Sequence, residues 1–212
     1  PHFGLHWPIW AILPLGALVA GVFGVLLGAP TLRLRGDYLA IVTLGFGEIV
    51  RVLITQTTDV LMTADEVRQA GFKSAFAVGG ALGFGGVPWY NNLFWTTLFT
   101  GLTLLICYRL KQSSTGRAFL SVREDEIAAQ AMGINLTRIK VRAFVIAATL
   151  AGIGGGLLAH QFGNNTTPND ANFVRSFDIL IPVVLGGLGS ISGAVLAAAL
   201  LTLLPEILRN PG

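Results

Sequence analysis

Charge is what this sequence has least of. Asp, Glu, Lys and Arg make up 12% of its 212 residues, while 53% are hydrophobic. An ordinary soluble domain carries about twice that share of charge. Uncharged runs long enough to cross a bilayer, about 20 residues, recur along the chain, which therefore reads as an integral membrane protein. The net charge of +3 is then a matter of which loops hold the basic residues, not a nucleic-acid signal. There is one cysteine, Cys107, inside an apolar run, which excludes a disulfide framework and a cysteine-based metal site. No G-x-x-x-x-G-K-[ST] pattern occurs, so no P-loop is available for ATP. The stretch "GGLGSISG" (186–193) also fails as a dinucleotide fingerprint, with Ser192 where the third glycine belongs. His2, His6 and His160 are scattered; they read as interfacial or solvated residues, and no metal site is expected. No Ser, His and Asp grouping suggests nucleophilic catalysis. The chain starts at Pro1 without a signal-peptide pattern, so it is expected to begin inside a longer protein.

What is present is a set of apolar spans. Trp10–Ala29 is the first, closed by Pro30; Tyr38–Ile54 is the second, although it carries Glu48 and Arg51; Asn91–Tyr108 is the third, with Trp89, Tyr90 and Trp95 placed like an interfacial belt. Ala143–Phe162 is the fourth. Ile179–Leu208 is the fifth, read either as a tilted span or as two helical pieces meeting at the glycines of 186–193. Residues 74–90 are apolar but hold five glycines and a proline, which favours a loop or a partly inserted piece over a full span. The expected fold is an all-α polytopic bundle of about five spans, one transmembrane domain over 1–212. Arg109–Arg142 holds seven basic residues, which places it in the cytoplasm. Alternating spans then put Arg33, Arg35 and Arg209 inside as well, and leave Arg68, Lys73 and Arg175 outside, a consistent positive-inside pattern.

Within that basic segment, Ser121 followed by Glu124 has the spacing of a capping box. Ile127, Ala131 and Ile134 recur at helical spacing, with Ala128 and Ala129 beside them. Gly133 can take the left-handed position that ends a helix, and Asn135 can cap the next one, which would run on into the fourth span. The segment thus reads as a short helix of about ten residues with small alanines on its surface, a glycine break, and a new helix entering the membrane. Such a helix suits either docking against another protein or lying on anionic lipid.

Here the residues carry a resemblance. "EIAAQAMG" (126–133) looks like the E-A-A…G loop by which permeases of ABC importers engage their ATPases. The longer blocks "TLRLRGDYLAIVTLGFGEIVR" (31–51), "GRAFLSVREDEIAAQAMGINLTRIKVRAFVIAATLAGIGGGLLA" (116–159) and "VVLGGLGSISGAVLAAALLTLLPEIL" (183–208) closely resemble branched-chain amino-acid permeases of the LivH/LivM family, LivM type. The resemblance implies a multi-pass subunit of the bacterial inner membrane, part of an ATP-driven importer of Leu, Ile and Val working by alternating access. It implies a homologous permease partner, two cytoplasmic ATPases that bind the ATP and Mg and do the hydrolysis, and a periplasmic substrate-binding protein. No cofactor is expected on this chain. The family's N-terminal spans are not within it, and residues 59–88 lack the family's "LTGGPNGI"-like pattern. A sibling permease for urea or short amides shares nearly all these features, and an ion-coupled secondary transporter shares some.

Three groups of residues stand out. Residues 116–142 form the expected coupling segment, with Arg123, Glu124, Glu126, Ala129 and Gly133 carrying the ATPase contact. Glu48 and Arg51, three residues apart inside a span, are either an intramembrane ion pair or part of the translocation path. Gly186, Gly187, Gly189 and Gly193 are a helix break or close-packing surface, with Gly189/Gly193 and Gly152/Gly156 each forming a G-x-x-x-G pair.

Overall fold

The computed structural model describes residues 9–31, 37–57, 80, 83–85, 92–161 and 165–209. Apart from a two-residue antiparallel bridge that pairs β1 (Phe84–Gly85) with β2 (Asn165–Thr166) and a single 3-10 turn at Pro168–Ala171, the described elements are α-helices. They are α1 (Ile9–Thr31), α2 (Asp37–Thr55), α3 (Leu93–Gln112), α4 (Ser114–Glu124), α5 (Glu126–Ala131), α6 (Leu136–Gln161), α7 (Phe173–Leu185) and α8 (Ile191–Arg209). Two compact units result, Pro1–Asp170 and Ala171–Gly212. Among the described residues four helices are long and apolar enough to cross a membrane: α1, α3, α6 and α8. The second expected span forms a 19-residue helix, α2. Most of 74–90, expected as a loop or partly inserted piece, lies outside the described residues, as do His2 and His6.

In the first unit the main packing is α1 against α6. Both helices carry small residues every fourth position: Gly16, Ala20 and Gly24 on one, Ala148, Gly152 and Gly156 on the other. A methyl group built on Gly24 would stand 2.8 Å from Ala148 Cβ, one on Gly152 would stand 2.7 Å from Ala20 Cβ and 2.9 Å from the Gly16 carbonyl, and one on Gly156 would meet Leu13. The matches run in opposite order along the two helices, so they are antiparallel. In a membrane the hydrophobic effect does not hold helices together, and close backbone approach over small residues takes its place. The expected Gly152/Gly156 surface is therefore real, and its partner is α1. Leu13 is fully buried and packs with Leu157, flanked by Trp95, Phe99 and Ile153. Trp95 stacks on Phe99 at 6.0 Å, so it belongs to this core as well as to the start of α3. Pro30 does not close α1, which continues to Thr31. His160, expected to be interfacial or solvated, is instead buried, its Nδ1 2.8 Å from the Gly156 carbonyl one turn back.

The second unit consists of α7 and α8 joined at the glycines, so the fifth run is two helical pieces. Gly187 and Gly189 take φ of +91° and +90°, left-handed values that favour glycine. The Ser190 hydroxyl accepts from Gly193 N–H at 3.1 Å and caps α8. Gly193 lies against the Gly186 carbonyl too closely for any side chain. Gly186 packs against Gly193, and left-handed Gly189 lies in the turn ahead of α8, so Gly189 and Gly193 do not share one helix face.

Candidate functional site

Three short junctions fold the basic segment between α3 and α6. Ser113 ends α3 by donating its N–H to the Leu110 carbonyl at 3.1 Å, and its hydroxyl accepts the Gly116 N–H at 3.1 Å to start α4. Gly116 is buried against the carbonyls of Leu110 and Lys111, where no side chain fits. Asp125 does the same at the next junction. Its N–H closes α4 on the Ser121 carbonyl, and its Oδ1 accepts from Ile127 N–H at 2.8 Å and Ala128 N–H at 3.0 Å. At the third, Gly133 has φ +84° and donates to Gln130 O, while Ile134 N–H reaches back to Ala129 O. These are the two bonds of a Schellman ending. Asn135 Oδ1 then accepts from Arg138 N–H at 3.0 Å and opens α6, which runs unbroken to Gln161.

The roles expected of Gly133 and Asn135 are the ones observed, but the Ser121–Glu124 capping box is not. Ser121 lies inside α4 with its hydroxyl donating to the Ala118 carbonyl, and Glu124 is the last residue of that helix. An N-cap must leave the helical region, and Ser121 cannot because the helix started at Ser114 passes through it. In place of one helix of about ten residues there are two, α4 and the six-residue α5.

The surface of α5 also differs from expectation. Ala129, expected to face a partner, is 3% exposed and packs inside its own chain. Ile127 and Met132, at the two ends of α5, are 81% and 83% exposed. The α5 helix is tied to α6 by an ion pair in which Lys140 Nζ donates to Glu126 Oε1 at 2.5 Å. Arg123 and Glu124 pair with each other, both exposed. A cavity of about 440 Å³ opens beside them, lined mainly by Phe119, Val122, Glu126, Ile139 and Lys140. All five expected coupling residues thus make contacts within the chain, and the two most exposed apolar side chains of the segment were not among them. Sequence could have flagged Asp125, an Asp directly before a helix-forming run. Lys140, fourteen residues from its partner, left no local signal.

Glu48 and Arg51 form the expected pair on α2. Arg51 Nε donates to both carboxylate oxygens, at 2.9 and 3.0 Å, and Nη2 donates to Oε1. Neither side chain is enclosed, at 47% and 26% exposure. Among the described residues, no three His, Cys, Asp or Glu side chains group to hold a metal ion.

Residues 3–210 match the family described as branched-chain amino acid transport system, permease component. The chain is 39% identical over 226 residues to the high-affinity branched-chain amino acid transport system permease protein LivM of Salmonella typhimurium, an alignment covering 99% of this chain and 52% of that protein. It is 38% identical to the protein of the same description from Escherichia coli K12, with the same coverage. The corresponding LivH protein of Salmonella typhimurium is 30% identical over 131 residues, covering 61% of this chain and 42% of that protein. The chain therefore spans about half the length of the curated relatives it matches most fully. No solved structure matches it.

Proposed function

The chain belongs to the family of branched-chain amino-acid transport permease components, and from that membership we propose that it forms part of the transmembrane path of an ATP-driven importer for Leu, Ile and Val in a bacterial inner membrane. The importer works by alternating access. It pairs this permease with a homologous one, with two ATPases that carry ATP and Mg on the cytoplasmic side, and with a periplasmic substrate-binding protein. Arg109–Arg142 faces the cytoplasm. In support, the antiparallel α1–α6 packing brings the end of α1, just before Arg33 and Arg35, to the side where α6 begins.

The observation that carries the reading is the way α5 is held. It is fixed to the start of a membrane helix by Glu126–Lys140 and by buried Ala129, while Ile127 and Met132 stand free of the chain. Ile127 and Met132 enter a groove of the ATPase as apolar anchors, of the kind that carry most of the energy at an interface. Displacement of α5 moves α6, and α6 carries α1 with it through the small-residue ladder.

Replacing both anchors by Asp tests this in the reconstituted transporter. The variant should insert normally and lose at least about tenfold in ATP-driven leucine uptake, the scale of one hot-spot side chain lost. Uptake equal to that of the unaltered protein would remove the docking assignment.

A further inference from the structure

α2 carries an open ion pair within an otherwise apolar stretch. Glu48 and Arg51 lie within its apolar sequence, and among the described residues their side chains have no polar partner except each other. With α2 read as the second span, the pair lies at membrane depth, where charged side chains face protein or a water-filled cavity and not lipid. An adjoining residue leaves space. Gly45 is one turn before Glu48, on the same side of the helix, and a Cβ there would meet nothing within 4 Å. Side chains on a helix lean toward its N-terminus, so the Glu48 carboxylate lies over the turn that Gly45 leaves bare.

The pair also keeps unused capacity. Glu48 occupies Nε and Nη2 of Arg51 and leaves Nη1 without a partner among the described residues. A guanidinium can hold a second carboxylate on its remaining edge, and a carboxylate accepts more hydrogen bonds than the two edges it offers here. A ligand that brings one carboxylate and one ammonium, two bonds apart through a single carbon, completes both halves without breaking the pair.

Resting on the importer reading above, we infer that Glu48 and Arg51 form a station on the translocation path that reads the zwitterion of an α-amino acid. Arg51 takes the α-carboxylate, Glu48 takes the α-ammonium, and the open surface over Gly45 admits the substrate backbone. The alternative is a purely structural pair, and the two roles separate under neutralisation.

If the pair is structural, Glu48→Gln or Arg51→Gln alone harms the protein by stranding one charge, and the double variant recovers. If the pair reads a zwitterion, the double variant stays at least about tenfold below the unaltered protein in leucine uptake, the loss expected for one charge-assisted contact. A second measurement does not depend on transport. In a Cys107→Ser background, Gly45→Cys is labelled with a maleimide in the assembled transporter. Leucine should slow labelling, whereas isocaproate and isopentylamine, which each bear one of the two charges, should not at the same concentration. The slowing should vanish when Glu48→Gln and Arg51→Gln are added. Recovery of uptake in the double variant, or labelling indifferent to leucine, overturns the inference. Failure of the unaltered transporter to use ATP for leucine uptake would instead sink the importer reading, and the labelling assay would still report on the station.

Discussion

At φ +84°, Gly133 sits in the left-handed region, and a side chain there would meet no atom within 4 Å. Any penalty for replacing it is therefore backbone strain and not crowding. Gly133→Val should destabilise the segment by about 1–3 kcal/mol, while Gly133→Asn should cost much less, because Asn tolerates this conformation. Thermal unfolding of the purified permease in detergent checks the order, and equal losses would show that the turn has no such requirement. Gly133 and Asn135 were legible in the sequence because a helix ending and a cap are decided by a few consecutive residues. The Ser121–Glu124 spacing was just as local but misleading. It competed with Ser113, eight residues earlier, which caps a helix that runs through Ser121. The Glu126–Lys140 pair and the burial of Ala129 depend on how α5 folds back on α6, which no local pattern encodes.

Between elements, the α1–α6 ladder ties the basic segment to the membrane helices, and its glycines are not equivalent. A methyl on Gly152 meets backbone, the Gly16 carbonyl and Ala17 Cα, whereas one on Gly156 meets only the end of the Leu13 side chain. Backbone cannot yield without separating the helices. Gly152→Ala should therefore cost about 1–3 kcal/mol as overpacking, and Gly156→Ala should cost clearly less. Unfolding midpoints in detergent would settle the order, and the reverse order would mean that the two helices pack through another face. The four-residue spacing on α6 was visible in the sequence as a packing surface, but the identity of its partner was not, since many helices of this chain carry small residues. The glycine break between α7 and α8 was half legible. Composition marked the interruption, and only the left-handed backbone at Gly187 and Gly189 separates the turn from the packing pair Gly186 and Gly193.

For the molecule as a whole, the membrane class followed from scarce charge and long apolar runs, and the family followed from three blocks of sequence in order; both are physical or chemical patterns that survive without knowledge of packing. What lay beyond the sequence was which side chains the folded segment offers outward. The apolar faces of α1, α3, α7 and α8 remain largely exposed within this chain, as befits helices that meet lipid and the proposed partner permease. In the proposed importer, transport is a property of the assembly, with this chain supplying a path and a point of attachment for ATP-driven motion. The most direct test is uptake of labelled leucine into proteoliposomes holding this permease with its partner permease, two ATPases and binding protein. Uptake should require both internal ATP and the binding protein, and unlabelled isoleucine and valine should compete. Leucine uptake driven by an ion gradient without ATP, or ATP-driven uptake of urea in place of leucine, would contradict it.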